Sequence, residues 1–277
     1  MEFLQPPTWR EALEARAAHP DALPIWGGTD VMVELNFARD RPEAMLDLTR
    51  VDELSRWSAE DGWFRIGAGV SYTRVIGELG GSLPGLAMAS RTVGSPQIRN
   101  RGTIGGNLGS SSPAGDALPP LYAGGAEVEL ASVHGDRRVP VEDFVVGPKR
   151  NVLASDELIA AVWVPKATGP QQFAKVGTRN AMVIAVCSFA LDLGERVRTC
   201  IGSAGPTPIR AREAEAFAAS LDSHTDAAAR EFGELDAAAA SPIDDVRGTA
   251  AYRRHALAVM AARCLAWAWA EHRGGAD

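Results

Sequence analysis

Glycines and small hydroxyl residues crowd one segment of the chain. Residues 94–116 read GSPQIRNRGTIGGNLGSSSPAGD, and the shorter segment 24–30 reads PIWGGTD. Glycine lets the backbone approach a ligand closely and adopt φ values that other residues avoid. Backbone N–H groups arranged in a concave nest bind anions without a lysine. The two segments therefore predict a site that grips one pyrophosphate from both sides.

Neither segment fits the commonest phosphate-binding motifs. The chain has no G-x-G-x-x-G at a strand-to-helix turn, and no Walker lysine follows either glycine pair. Hydroxyl side chains at Thr29, Thr103 and 110–112 are suited to support a nest of amides. Glycine pairs in a glycine-rich protein are also often only tight turns. Spacing alone leaves both interpretations open.

The order of the motifs is more specific than their spacing. GGTD, then SPQIRNRGTIGGN, then SPAGD resembles the FAD-binding medium subunit of the molybdenum hydroxylases, the family of xanthine dehydrogenase and carbon monoxide dehydrogenase. The likeness extends to the opening MEFLQPPTWREAL, to FAKVGTRNAMVIAV and GSAGPTPIRAREAE, and to the closing YRRHALAVMAARCL. It covers nearly the whole chain.

This resemblance implies FAD as the cofactor and a specific set of residues around it. Asp116 belongs at the sugar end, because a carboxylate does not favour phosphate but accepts hydrogen bonds from ribose hydroxyls. Alternatively, Asp116 caps the turn at 117–120. The implied cofactor-binding residues are Ile25, Trp26, Gly27, Gly28, Thr29, Asp30, Val93, Gly102, Thr103, Gly105, Gly106, Asn107, Ser112, Asp116 and Lys175.

Lys175 is also the candidate catalytic residue. In FAKVGTR it resembles a family position close to the flavin ring, where a cation stabilises the reduced flavin. The alternative for Lys175 is a solvated lysine on a strand. The alternative for Val93 is a side chain that only packs in the core. Arg99 and Arg101 flank the glycine segment, where solvated side chains are expected. Many relatives have an acidic residue after the arginine that corresponds to Arg179, but residues 180–183 of this chain contain none. This departure leaves the identity of the electron acceptor open.

These residues need an α+β scaffold to position them. By resemblance, residues 1–168 form a PCMH-type, or vanillyl-alcohol-oxidase-like, FAD-binding domain with subdomains of about 1–55 and 56–168. Residues 169–277 form a C-terminal α+β domain with a three-stranded sheet and helices. The residue patterns predict strands at 23–26, 45–48, 63–70, 126–132, 157–164, 171–176, 182–193 and 197–202, and helices at 8–18, 71–79, 210–219, 225–240 and from 249 onward. The alanine-rich helix 225–240 is expected to be exposed and poorly packed.

Composition excludes several other classes. A net charge of −7 over 277 residues argues against nucleic-acid binding. Cys187, Cys200 and Cys264 lack C-x-x-C spacing, so neither an iron–sulfur site nor a disulfide framework is expected, and the scattered histidines predict no metal site. The first residues contain no apolar run and 256–270 is too short to span a bilayer, so a cytoplasmic protein without membrane association is expected.

The function implied by the resemblance is electron relay. A large molybdopterin-binding subunit and a small [2Fe–2S] subunit are the expected partners, in a heterotrimer or a dimer of heterotrimers, with NAD or another acceptor receiving the electrons. Xanthine or a related purine is the substrate suggested for the complex. A free-standing FAD-dependent oxidase or dehydrogenase, and a non-catalytic nucleotide-binding assembly module, are the alternatives.

Overall fold

The structure, a computed structural model, describes residues 1–37 and 41–274. The strands are β1 (Glu2–Leu4), β2 (Leu23–Ile25), β3 (Ala44–Asp47), β4 (Trp57–Glu60), β5 (Trp63–Gly67), β6 (Glu127–Ser132), β7 (Gly135–Pro140), β8 (Val145–Gly147), β9 (Arg150–Asn151), β10 (Leu158–Pro165), β11 (Gln171–Val176), β12 (Cys187–Leu193) and β13 (Val197–Gly202). The α-helices are α1 (Trp9–Ala18), α2 (Val31–Asn36), α3 (Tyr72–Arg74), α4 (Pro84–Thr92), α5 (Pro96–Arg101), α6 (Ile104–Ser110), α7 (Leu118–Ala123), α8 (Val141–Phe144), α9 (Arg212–Ala219), α10 (Asp226–Ala239) and α11 (Ala250–Gly274). A 3₁₀ turn (Asp52–Ser55) precedes β4, and α3 continues into a π-helical turn (Val75–Leu79).

A small parallel sheet carries the first glycine segment. Its order is β1–β3–β2, and α1 connects β1 to β2. Helix α1 begins after Thr8, whose hydroxyl accepts a hydrogen bond from the Glu11 N–H at 3.3 Å, as the sequence predicts. Leu46 is fully buried between this sheet and α1. Strand β2 ends at Ile25, so the GGTD segment leaves from the sheet edge.

A five-stranded antiparallel sheet forms the centre of the molecule, in the order β4–β5–β10–β6–β7. Strand β10 lies in the middle, because its apolar run LIAAVWV can be buried on both faces. The chain between β5 and β6 folds into α3 to α7 before returning to the sheet. This helical excursion contains the second glycine segment, and its apolar residues share one core with the sheet.

A three-stranded antiparallel sheet, β11–β12–β13, follows. One face packs on α9, α10 and α11, where the rings of Phe189 and Phe232 meet edge to face at 6.2 Å. The other face contributes Ala190 and Cys200 to the central core and contacts α4 and α7. The predicted α+β fold with a three-stranded C-terminal sheet is therefore confirmed. In the part of the chain that the structure describes, no helix combines the length and apolar character that crossing a membrane needs.

Three local predictions differ from the structure. The glycine-rich stretch forms α5 and α6 where tight turns or a phosphate-binding loop were expected. Within α6, Gly105 packs too close to Ala68 for a side chain: a Cβ there would lie 2.6 Å from the Ala68 carbonyl oxygen. The helix expected to be exposed, α10, buries Phe232 and Asp236 against the C-terminal core. The strand expected from residue 182 begins only at Cys187, after a turn in which Met182 has a positive φ.

Candidate functional site

The two glycine segments lie directly against each other. A Cβ on Gly27 would overlap the carbonyl oxygen of Arg101 and come within 3.2 Å of the Gly102 nitrogen. Gly28 adopts a φ of +73°, a conformation that favours glycine. Ser110, at the end of α6, donates a hydrogen bond to the Asp30 carboxylate at 2.6 Å. The chain therefore needs glycine at both positions to bring residues 26–30 onto α5 and α6.

The first segment presents consecutive unpaired amides. The backbone N–H groups of residues 27–30 donate no hydrogen bond to any described residue. Successive N–H groups around a left-handed residue such as Gly28 form a concavity that attracts anions. Residues 26–29 are half-buried, so this concavity is partly shielded from water. Such a nest suits a pyrophosphate.

The amides of the second segment are already paired within the protein. Gly105 donates its N–H to Ala68 O at 3.1 Å, Gly106 to Thr103 Oγ1 at 2.9 Å, and Asn107 to Thr103 O at 3.1 Å. Gly106 is exposed, and a Cβ there would meet only Thr103 Oγ1, at 3.2 Å. The second segment therefore contributes an open surface at the positive end of α6.

A turn after α6 leads from the glycine segment to Asp116. Asn107 accepts the Ala117 N–H with Oδ1 at 3.3 Å, and Ser112 accepts the Ala114 N–H with Oγ at 3.3 Å. Gly115 is required here, because a Cβ would lie 2.8 Å from Asn107 Oδ1. Asn107 and Ser112 thus shape the backbone that presents the carboxylate.

Asp116 forms a buried ion pair with Lys175. The Lys175 ammonium donates to Asp116 Oδ2 at 2.6 Å and to Thr92 O at 3.2 Å, and the two side chains are 5% and 9% exposed. Lys175 is therefore not a solvated strand lysine, and Asp116 caps no helix through its side chain. Burial raises the pKa of Asp116 above its usual value, although Lys175 and a hydrogen bond from Thr92 oppose the shift.

The other oxygen of Asp116 has no partner. Oδ1 is sealed from solvent and accepts no hydrogen bond from any residue in the described part of the chain. An unpaired buried acceptor costs the free energy of its lost hydration. A ligand hydroxyl that donates to Oδ1 would remove this cost, so the site fits a sugar-bearing ligand as well as a phosphate.

The remaining predicted residues lie around these groups. Val93 ends α4 and packs partly buried against the central core. The Arg99 guanidinium donates to the carbonyls of Val93 and Gly94, at 3.0 and 3.2 Å, and so fixes the turn in which Gly94 has a positive φ. The indole ring of Trp26 fills the space beside Gly69.

Sequence reasoning missed Tyr72. It begins α3, is 3% exposed, and its ring contacts Gly102. Burial raises the pKa of Tyr72 well above its usual value, and the charges of Asp116 and Asp30 raise it further. Tyr72 lies outside both glycine motifs, so only the fold identifies it as a neighbour of both segments.

The described residues contain no group of three His, Cys, Asp or Glu side chains able to hold a metal ion. The arrangement instead combines an amide nest, an unpaired carboxylate oxygen and a buried cation. These are the elements that a dinucleotide with a pyrophosphate and sugar hydroxyls requires.

Comparison with known proteins agrees with this chemistry. The family model of the FAD-binding domain in molybdopterin dehydrogenase matches residues 1–167, and that of the CO dehydrogenase flavoprotein C-terminal domain matches residues 172–268. The chain is 33% identical to the xanthine dehydrogenase FAD-binding subunit of Escherichia coli O157:H7, covering 96% of this chain and 95% of that protein. It is 30% identical to the nicotine 6-hydroxylase medium subunit of Paenarthrobacter nicotinovorans, covering 91% and 92%. Its structure superposes on carbon monoxide dehydrogenase from Hydrogenophaga pseudoflava with a TM-score of 0.90 at 28% identity, over 98% of both chains.

Proposed function

This chain belongs to the family of FAD-binding subunits of the molybdopterin dehydrogenases, and on that premise we propose that it relays electrons from the [2Fe–2S] clusters of a partner subunit to NAD or another acceptor. It is an FAD-dependent oxidoreductase subunit of the xanthine dehydrogenase and carbon monoxide dehydrogenase type. Within the complex, a large molybdopterin-binding subunit would oxidise the substrate. The medium-subunit name of the nicotine 6-hydroxylase relative supports this division of labour.

The observation that carries the proposal is the row of unpaired amides at 27–30. Bound FAD supplies the ability to accept electrons singly and to release two as a hydride. We infer that the N–H groups of this row hold the pyrophosphate, with Thr103 and Gly106 closing the opposite side. Asp116 would bind a sugar hydroxyl through Oδ1. In this proposal residues 1–168 form the FAD-binding domain and 169–277 the C-terminal domain.

We place Lys175 beside the flavin ring. Its ammonium group bonds Thr92 O, next to the Val93 side chain that we assign to the wall of the ring site. Because Asp116 already neutralises the ammonium group, Lys175 acts on the ring as one end of an oriented ion pair rather than as a free cation. The Lys175 side chain is only 5% exposed, so water screens the electrostatic effect of the ion pair on the ring only weakly.

Cofactor content tests the first part of the proposal. Neither glycine segment contains a His or Cys for covalent attachment. Acid precipitation of the purified protein should therefore release one FAD per chain into the supernatant, identified by chromatography. A yellow precipitate, or FMN in the supernatant, would contradict the assignment.

A glycine substitution tests the location of the site. We expect Gly106→Val to weaken FAD binding by roughly tenfold or more, a loss of about 1.4 kcal/mol or more, since its side chain would occupy the open surface where the pyrophosphate is proposed to lie. Gly77→Val is the matched control, because that helical glycine is exposed and a Cβ there meets nothing within 4 Å. Equal FAD affinity for the two variants would show that the pyrophosphate does not bind against α6.

Reconstitution tests the relay. The isolated chain should oxidise no purine, whereas adding the large and small subunits should restore substrate-dependent reduction of NAD or another acceptor. Reduction of an artificial dye at the molybdenum subunit should not require this chain. Purine turnover by the chain alone would identify a free-standing FAD-dependent enzyme instead.

A further inference from the structure

Four arginines lie close together at the boundary between the C-terminal sheet and the central sheet. Arg198 belongs to β13 and Arg196 to the turn before it, while Arg210 precedes α9 and Arg212 begins that helix. Glu142 of α8 meets this group from the central side and accepts hydrogen bonds from Arg210 and Arg212. The charges of Arg196 and Arg210 both act on the Arg198 guanidinium. We call these four residues the arginine cluster.

Two members of the arginine cluster use the nearby carboxylates fully. Arg210 donates to the two oxygens of Glu215 at 2.5 and 2.7 Å, and to Oε1 of Glu142. Arg212 donates to Oε2 of Glu142 at 2.6 Å. Both oxygens of each glutamate are therefore already bonded to these two arginines.

The other two members, Arg196 and Arg198, have no such partner. Neither guanidinium donates a hydrogen bond to, or forms an ion pair with, any residue that the structure describes. Asp192 lies opposite Arg198 in the sheet, but its carboxylate accepts from Gln171 Nε2 at 2.7 Å and from a backbone N–H. The neighbouring Glu195 side chain is exposed and bonds neither arginine. The arginine cluster thus contains two cations without a bonded counter-charge.

Packing, not hydrogen bonding, holds Arg198 in place. Gly125, in the turn between α7 and β6, has a φ of +66°, and a Cβ there would overlap Arg198 Nη1 and lie 2.8 Å from its Cζ. The guanidinium therefore lies directly on the Gly125 backbone, across the boundary between the two sheets. Burial lowers the pKa of Arg198, and the charge of Arg210 lowers it further. A partly desolvated cation without a partner costs free energy, which a bound anion would offset.

The unpaired nitrogen atoms of Arg198 remain open to a ligand. None of them is sealed from solvent, in contrast to the unpaired Nε atoms of Arg16 and Arg253. Arg196 is exposed. A guanidinium presents its N–H groups as a planar fork that matches the spacing of two oxygens of an oxyanion. An anion can therefore reach both unpaired members of the arginine cluster from solvent.

We propose that Arg198 and Arg196 bind a divalent oxyanion, either inorganic phosphate or a phosphate monoester. Two uncompensated cations match the two negative charges of such an anion. The anion would join β13 to the turn at Gly125 and so tie the C-terminal sheet to the central sheet. The site is separate from the glycine segments, because the sheet register places Arg198 beside Asp192 and Lys175 beside Ser188, at the other end of β12.

Arg198→Met tests this site, because methionine keeps an apolar stem and removes the charge. Isothermal titration with inorganic phosphate, at constant ionic strength and in excess FAD, should show one saturable site in the parent. The Kd should rise about tenfold or more in Arg198→Met and about threefold in the more exposed Arg196→Met. Arg230→Met is the matched control: Arg230 is an exposed arginine of α10 that bonds no described residue, and its loss should leave the Kd unchanged.

Melting temperatures give a second measurement. Phosphate should raise the melting temperature of the parent and of Arg230→Met, but not that of Arg198→Met. If Arg198→Met is already less stable without phosphate, Arg196→Met provides the same comparison from an exposed position. No saturable phosphate binding by the parent, or equal Kd values for the parent and both cluster variants, would overturn the proposal.

Other anions identify the ligand. Acetate carries one charge and should bind more weakly than phosphate; equal affinity would contradict a site for a divalent anion. Glycerol 3-phosphate distinguishes the two sources of the dianion. Tighter binding than that of inorganic phosphate would identify a monoester, and weaker binding would identify the free ion.

Discussion

Two buried carboxylates in this protein have opposite surroundings. Asp116 has Lys175 as a counter-ion and Thr92 as a donor. Asp236, by contrast, is fully buried, and neither of its side-chain oxygens has a hydrogen-bond partner among the residues that the structure describes. Burial raises the pKa of Asp236 well above its usual value, and the charge of Glu215 raises it further. A buried charge without a partner is too costly to maintain, so Asp236 is held as the neutral acid.

Asp236 should make stability fall as pH rises. Its pKa is higher in the folded state than the unfolded value of about 3.9, so the folded protein binds more protons between these two pKa values. The free energy of unfolding should therefore decrease by about 1.4 kcal/mol per pH unit in this interval, relative to an Asp236→Asn variant that cannot titrate. Urea unfolding of both proteins from pH 5 to pH 8 measures the difference. Parallel pH profiles would show that Asp236 ionises in the folded state as it does in the unfolded chain.

The sequence motifs indicated individual candidate residues of the site, but not which of those residues contact each other. SPAGD and FAKVGTR each indicated a functional residue, but their ion pair joins positions 59 residues apart. Tyr72 had no motif to mark it. Its contact with Gly102 exists only in the folded chain.

Helix α10 shows how small residues can specify close packing. Its alanine-rich sequence contains few large apolar side chains, which predicted weak packing. In the structure, Gly233 lets the α10 backbone approach Ala258 of α11, while Phe232 inserts towards Phe189. Alanine and glycine therefore bring the helices together instead of leaving α10 exposed.

Gly233→Ala should destabilise the protein despite improving helix propensity. Alanine favours a helix over glycine by about 1 kcal/mol, but its Cβ would overlap the Ala258 carbonyl oxygen and force the helices apart. Overpacking of this kind costs about 1–3 kcal/mol, so a net loss is expected in the free energy of unfolding. Gly77→Ala, with open space around its Cβ, is the control and should not destabilise. Chemical denaturation of both variants measures the effect; a stabilised Gly233→Ala would mean that α10 is free to shift.

Strands were more predictable than the glycine-rich helices. Strands predicted at 23–26 and 45–48 occur at Leu23–Ile25 and Ala44–Asp47. The helical conformation of 104–110 was missed because glycine has low helix propensity. At Gly105, the close contact with Ala68 leaves no room for a residue of higher helix propensity.

The molecule encloses all its cysteines. Cys200 belongs to the central core, and Cys187 and Cys264 belong to the core between the C-terminal sheet and its helices. Burial raises the pKa of Cys187 and Cys264 to about 12 and that of Cys200 well above its usual value. The thiolate is the reactive form, so these groups are inert in the folded protein.

Thiol labelling should therefore report unfolding of the whole molecule. The native protein should react with a thiol reagent no faster than it unfolds, and three groups should react in denaturant. Val246→Cys, at a fully exposed position, supplies the reactive control. Rapid labelling of a native cysteine would reveal local opening of one of the two cores.

The ion pair between Asp116 and Lys175 also affects how the site can be built during synthesis. The ribosome completes the glycine segments and Asp116 before it reaches β11, and 59 residues separate the two charges. At about 5–20 residues per second, Asp116 has no counter-charge for roughly 3–12 s. A fragment ending at residue 167, where the first family model stops, would keep both glycine segments and lack the only ammonium group that reaches the carboxylate in the described chain. The ion pair of the proposed cofactor site is thus completed by the part of the chain that is translated after Asp116.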